Sequence, residues 1–140
     1  VRVRATRNPN DAAMIDFEKR RKMGGGYFID ETQLAKRQPM FMSDMLRGTP
    51  GITIIPASDS FGDQIYMRGT AGAGSCAPAI FVDGVRALNM DATLDNIVDP
   101  QQVRAVEIYS RSSGTPNQFQ SQNGCGTVVI WTGPRKPATP

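Results

Sequence analysis

Hydrophobic residues along the chain fall in short, separated groups whose spacing shifts from helical to strand-like. Asp11 to Met23 sets Met14, Ile15 and Phe17 among Arg and Lys positions in a pattern compatible with a short amphipathic helix. Gly24-Gly25-Gly26 ends it, because glycine accepts the positive φ of a helix C-terminus. In Asp30-Glu31-Thr32-Gln33 a side-chain acceptor precedes Gln by three positions, a capping-box arrangement that starts a second helix through about Arg37, and Pro39 ends it. Ser43 to Arg47 reads as a third short helix capped by Ser43. Gly48 with Pro50-Gly51 stops that helix and turns the chain into a strand, Ile52-Thr53-Ile54-Ile55.

Strand patterns dominate from there. Gln64 to Arg68 is one candidate. Ala79 to Val82 and Val85 to Leu88 flank Asp83-Gly84, the favoured two-residue turn of a hairpin. Leu94 to Val98 and Pro100 to Val103 read as helical turns, with Asp99 as a cap and Pro100 at the first helical position. Arg104 to Ser110 alternates as a strand, with Val106, Ile108 and Ser110 on one face and Ala105, Glu107 and Tyr109 on the other. Thr127 to Trp131 is a continuous apolar run suited to the middle of a sheet. At the ends, Val1 to Asn10 reads as an edge strand or the close of a linker, and Gly133-Pro134 with Pro137 to Pro140 as a flexible tail.

The predicted class is therefore α/β (α+β), a small mixed sheet of about four to five short strands with short helices. It divides into an N-terminal arm at 1–42, a core at 43–132 and a Pro-rich tail at 133–140. Fourteen Gly and ten Pro in 140 residues argue against a helical bundle and for short elements joined by tight turns. The longest apolar runs are four residues, as in Ala79 to Val82, far short of the roughly 20 that a spanning helix needs. Five short strand candidates do not make an outer-membrane barrel. The sequence begins at Val1, with no charged and apolar leader, and reads as a processed chain or a fragment.

Sixteen basic against 13 acidic residues give +3, with the excess at the two ends. Lys19-Arg20-Arg21-Lys22 lacks the interleaved aromatics of a nucleic-acid binder and reads as a solvated helix face. Gly24-Gly25-Gly26 lacks the companion residues of a phosphate loop and reads as a hinge. Histidine is absent, which removes the commonest general base and every Ser-His-Asp arrangement, so no catalytic residue, cofactor site or metal site is predicted. The acid pairs Asp59/Asp63 and Asp91/Asp95 lack the spacing of a calcium loop, and the seven Met read as core fillers.

Several segments, taken in order, resemble the plug domain of TonB-dependent outer-membrane receptors. They are SDMLRGTPGI (Ser43 to Ile52), QIYMRG (Gln64 to Gly69), IFVDGVR (Ile80 to Arg86), DNIVDPQQVRAVEIYS (Asp95 to Ser110) and SGTPNQFQSQNGCGTVVIWT (Ser113 to Thr132). The resemblance covers about two thirds of the chain. It implies that Leu46, Pro50, Gly51, Arg68, Gly69, Asp83, Gly84, Glu107, Gly124 and Gly126 are scaffold positions of the plug fold. Phe17 to Gly26 and the two cysteines resemble a barrel-less branch of plug-like proteins, often preceded by a carboxypeptidase-regulatory-like β-sandwich, whose end Val1 to Thr6 would then be.

Cys76 and Cys125 precede the hairpin strand and the last strand. A metal site or a redox pair is opposed by the lack of His and of C-x-x-C spacing. A structural disulfide suits the oxidising periplasm that the resemblance implies. The sequence ends nine residues after Trp131, so no barrel is expected in the same chain, and Val1 to Asn10 present no convincing TonB box. The expectation is a non-catalytic, periplasmic or outer-membrane-associated module of a Gram-negative-type bacterium. It acts through another envelope protein, or through self-association, and has no nucleic-acid partner. Its forms are a plug gating a barrel supplied in trans, an accessory subunit of a larger envelope assembly, or a siderophore-like or glycan-like binder using Ser58 to Gln64 and Gly69 to Ala77.

Overall fold

The computed structural model describes residues 11–55, 64–68, 75–87, 98–111, 114–121 and 125–133. The elements are α1 (Asp11–Met23), β1 (Tyr27–Ile29), α2 (Glu31–Arg37), α3 (Met42–Leu46), β2 (Ile52–Ile55), β3 (Gln64–Arg68), β4 (Ser75–Cys76), β5 (Ala79–Val82), β6 (Val85–Arg86), β7 (Val103–Tyr109) and β8 (Thr127–Thr132). Short 3-10 turns lie at Pro100–Gln102 and Asn117–Phe119.

Five strands form a mixed sheet in the order β1-β7-β8-β5-β6, as the α/β pattern predicts. The apolar run of β8 takes a place inside the sheet, antiparallel to β7 and parallel to β5 from Ala79 opposite Thr127 to Val82 opposite Ile130. β2 and β3 do not join this sheet. With β4 they form a separate antiparallel sheet of three strands.

Residues 11–42, set apart above as an arm, share the same core. β1 pairs antiparallel with β7 from Tyr27 opposite Ile108 to Ile29 opposite Val106. Strand alternation then sends Ile29, Val106, Ile108, Val128 and Ile130 to one face, where Leu34 of α2, Met42, Met45 and Leu46 of α3, and Ile65 and Met67 of β3 cover them. The other face carries Phe81, Ala105, Tyr109, Val129 and Trp131 and is covered by Phe17 of α1 and by Phe119.

Local chemistry follows the sequence in most places and departs in a few. Asp30 accepts from Gln33 N at 2.9 Å while Gln33 Oε1 accepts from Asp30 N at 3.1 Å, the predicted capping box. Asp99 Oδ1 accepts from Gln101 N at 2.9 Å, with Pro100 behind it. Ser43, by contrast, does not cap α3. The helix starts one residue earlier, Phe41 N donates to Asp44 Oδ2 at 3.2 Å, and Ser43 is buried. Ser110 lies past the end of β7 and is exposed, and the hairpin strand stops at Arg86. Val98 is buried outside any element, and residues 94–97 lie outside those described, as do Val1 to Asn10, Gly69 and the tail from Pro134.

The glycine run after α1 is a packed corner rather than a hinge. Gly24 has φ +80° and its N–H donates to Arg20 O at 3.0 Å, closing the helix. A Cβ on Gly26 would sit 2.6 Å from the Tyr109 ring, and one on Gly114 would sit 2.2 Å from Gly25 O. These glycines let two backbones and a ring approach closely.

Candidate functional site

The feature with the most chemistry is a buried carboxylate in the middle of β7. Glu107 lies between Val106 and Ile108, and its side chain is fully inaccessible. An unpaired charge there would be prohibitively desolvated, so every lone pair is used. Arg20, reaching across from α1, donates Nε to Oε1 at 2.6 Å and Nη2 to Oε2 at 2.7 Å. Trp131 Nε1 donates to Oε2 at 2.6 Å, and the Tyr109 hydroxyl donates to Oε1.

Aromatic rings enclose this pair. The guanidinium carbon of Arg20 lies 5.4 Å from the centre of the Phe119 ring and 6.0 Å from that of Trp131, within cation–π range. Phe17 meets Phe28 edge-on at 5.8 Å, and Phe28 meets Tyr109 likewise at 5.8 Å. Burial, and then its hydrogen bond to Glu107, raises the Tyr109 phenol well above the ordinary tyrosine range. Burial opposes the charge on Arg20, but the hydrogen bonds and charge of Glu107 outweigh it and raise the guanidinium further. The arrangement holds charge in place and has no free acceptor for acid–base work.

A second ion cluster sits two turns away along α1. Arg104, 3% exposed, is the extra residue of a bulge in β7, where Val103 faces Thr132 and Ala105 faces Trp131. Its Nη1 lies 2.7 Å from Asp11 Oδ1 at the start of α1, and its Nε donates to Glu31 at the start of α2. A groove of about 220 Å³ beside it is lined by Met14, Phe17, Glu18, Asp30, Glu31 and Arg104, among others. Arg21 spans it from Glu18, at 3.2 Å, to Asp30, at 3.0 Å. Among the described residues no group of three or more acidic or thiol side chains is placed to hold a metal ion.

Residues 22–126 match the model of the TonB-dependent receptor plug domain. The chain belongs to that family. No curated protein matches it. Among solved structures, this plug domain is similar to a mutant ferric enterobactin receptor PfeA from Pseudomonas aeruginosa in complex with enterobactin, at 26% identity and a TM-score of 0.58, covering 77% of this chain and 17% of that one. It is also similar to the siderophore receptor PirA from Pseudomonas aeruginosa, at 26% identity and a TM-score of 0.52, covering 82% and 19%. The RagAB peptide importer in its closed-closed state shares the fold, at 22% identity and a TM-score of 0.56, covering 78% and 12%. The chain spans less than a fifth of the length of each of these structures. Plug domains of this family are transport-related rather than catalytic, and no described helix is long and apolar enough to cross a membrane.

Within the plug domain the anticipated scaffold residues scatter over the fold instead of converging. Leu46 is fully buried among the helix side chains, and Pro50 and Gly51 form the exposed turn into β2, Gly51 with φ +87°. Asp83 and Gly84 have φ of 54° and 86°, the signature of a type I′ hairpin. Asp83 also clamps β8, accepting from Thr132 N at 2.8 Å and from Thr132 Oγ1 at 2.6 Å. Gly126, with φ +87°, is hemmed in by Met67 Sδ and Tyr109 O. Arg68 ends β3 opposite Ser75, its side chain outside the described set together with Gly69 and Gly124. Cys125 is 4% exposed, and the side chain of Cys76 lies outside the described residues.

Only Glu107 of those positions belongs to the polar cluster, and its partners escaped the sequence reading. Arg20 is 15% exposed in its side chain, which corrects the view of Lys19 to Lys22 as an entirely solvated face. The signal was present as a charged residue inside an apolar strand, which demands a cation from elsewhere. Phe17 and Arg20, one helical turn apart, were the residues able to supply a ring and a guanidinium together. Most of the loops proposed above for a siderophore-like or glycan-like ligand, residues 58–63 and 69–74, lie outside the described residues.

Proposed function

We propose that this plug domain seats inside an outer-membrane β-barrel of the TonB-dependent type and gates passage through it, acting by protein–protein contact at the periplasmic side. The observation that carries the reading is the extent of the family match. Residues 22–126 run from the last turn of α1 through β7 and so include both helices of one face and the whole three-stranded sheet. The barrel is the partner, whether it is part of the same polypeptide or of another. The solved relatives, two of them named as receptors for a siderophore or ferric siderophore, support a transport setting in a Gram-negative envelope.

The reading includes a Cys76–Cys125 disulfide, suited to the periplasm. It is supported by the register: Ala79 lies opposite Thr127, and Ala79 N donates to Gly126 O at 3.0 Å. Met67, the β-partner of Cys76, packs against Gly126. The bridge would tie the small sheet to the start of β8.

Mass spectrometry of the native, gently solubilised envelope complex tests the function. A β-barrel at one copy per plug domain, whose channel conductance rises when the domain is removed, is the expected result. A stoichiometric assembly without a barrel would replace gating with a scaffold role.

A further inference from the structure

Arg20 precedes the residues that the plug family matches, so its contact with the sheet comes from this chain's own α1. That helix has one buried side chain, Phe17. Ala13 and Met14 pack partly buried beside it, and ion pairs tie down its two ends, Asp11 on Arg104 at 2.7 Å and Arg20 on Glu107 at 2.6 Å. A helix so held opens more readily than β7, in which every residue is buried.

The space that Arg20 fills has the chemistry of a guanidinium receptor. Two carboxylate oxygens face Nε and Nη2 as parallel bonds, and Trp131 Nε1 and the Tyr109 hydroxyl fix the carboxylate from its other side. The faces of Phe119 and Trp131 complete it. A flat fork between rings favours a guanidinium over an ammonium, which is a point charge. Once α1 lifts, Glu107 keeps Trp131 Nε1 and the Tyr109 hydroxyl on its carboxylate and presents an oriented negative charge, which favours a cation as any replacement.

We propose that the Glu107 box is a guanidinium-binding site, occupied within the chain by Arg20, and that opening of α1 passes it to an arginine of a partner protein. The arginine is presented on a helical segment with an aromatic residue one turn earlier, matching the seats of Arg20 and of Phe17 against Phe28. This inference does not depend on which barrel, if any, the domain gates.

Trp131, the sole tryptophan, reports on the site directly. The full chain carrying Arg20→Ala is titrated with a synthetic peptide of residues 11–23, followed by Trp131 emission. Saturable binding is expected, with a peptide carrying Arg20→Lys weaker by about tenfold or more. Equal binding of the two peptides, or none, overturns the proposal. A parallel measurement needs no substitution: hydrogen exchange on the unaltered chain is expected to show α1 amides exchanging at least about a hundredfold faster than those of β7 and β8. Equal protection of the helix and the strands overturns the opening step, whatever the variant does.

Discussion

Replacing Glu107 with Ala tests the central claim about this fold, that one carboxylate organises the α1 face of the sheet. The change strands three donors: the Arg20 guanidinium, the Trp131 indole N–H and the Tyr109 hydroxyl. Breaking a buried ion pair by removing one partner costs about 3–5 kcal/mol. Each neutral donor left dry costs about 1–3 kcal/mol, although the three share one site and the terms do not add. A loss of about 5 kcal/mol follows, against a total stability of about 5–15 kcal/mol for a domain of ordinary size. Urea titration followed in parallel by far-UV circular dichroism and Trp131 emission measures it. The double variant Arg20→Ala/Glu107→Ala should lose less than the sum of the two single losses, by about 2 kcal/mol or more. A Glu107→Ala protein within about 1 kcal/mol of the parent would refute the reasoning, because the network would then be dispensable.

Other consequences are open to the same assay. The Tyr109 phenol is raised in the folded state, so unfolded chains release its proton first as pH climbs. Its contribution is complete below the ordinary tyrosine value near pH 10 and declines above it, by about 1.4 kcal/mol per pH unit, and Tyr109→Phe removes that decline. Gly126→Ala would set a Cβ 2.4 Å from Met67 Sδ and 2.8 Å from Tyr109 O at a φ of +87°, so a loss of about 2–4 kcal/mol in the urea midpoint analysis is expected. Non-reducing peptide mapping should find Cys76 joined to Cys125, and reduction should lower stability by up to about 4 kcal/mol for a loop of about 50 residues. Free thiols in freshly purified protein would remove the bridge from the proposal.

The buried face also explains how a helix with little apolar surface stays on the sheet. Asp11 and Arg20 bind partners of opposite sign on β7, Arg104 and Glu107, so the direction of α1 across the sheet is set by charge as well as by Phe17. Reversing the helix would place like charges together, which buried pairs penalise heavily.

Local chemistry alone determined much of this protein. The capping box at Asp30, the Asp99-Pro100 turn, the type I′ hairpin at Asp83-Gly84 and the apolar run of β8 each depend on neighbours within a few residues, and each is legible in the order of side chains. The ordered set of segments also pointed to the plug family, because it samples most of the fold. Tertiary structure decided the rest. A three-residue strand such as Tyr27–Ile29 has no periodicity to read, and only pairing with β7 makes it a strand. The split into two sheets likewise depends on which edges meet. Arg20 and Glu107 are 87 positions apart, and no local pattern couples them. What joins them is the cost of burying either charge alone, a cost that arises only when the helix and the sheet have closed over both.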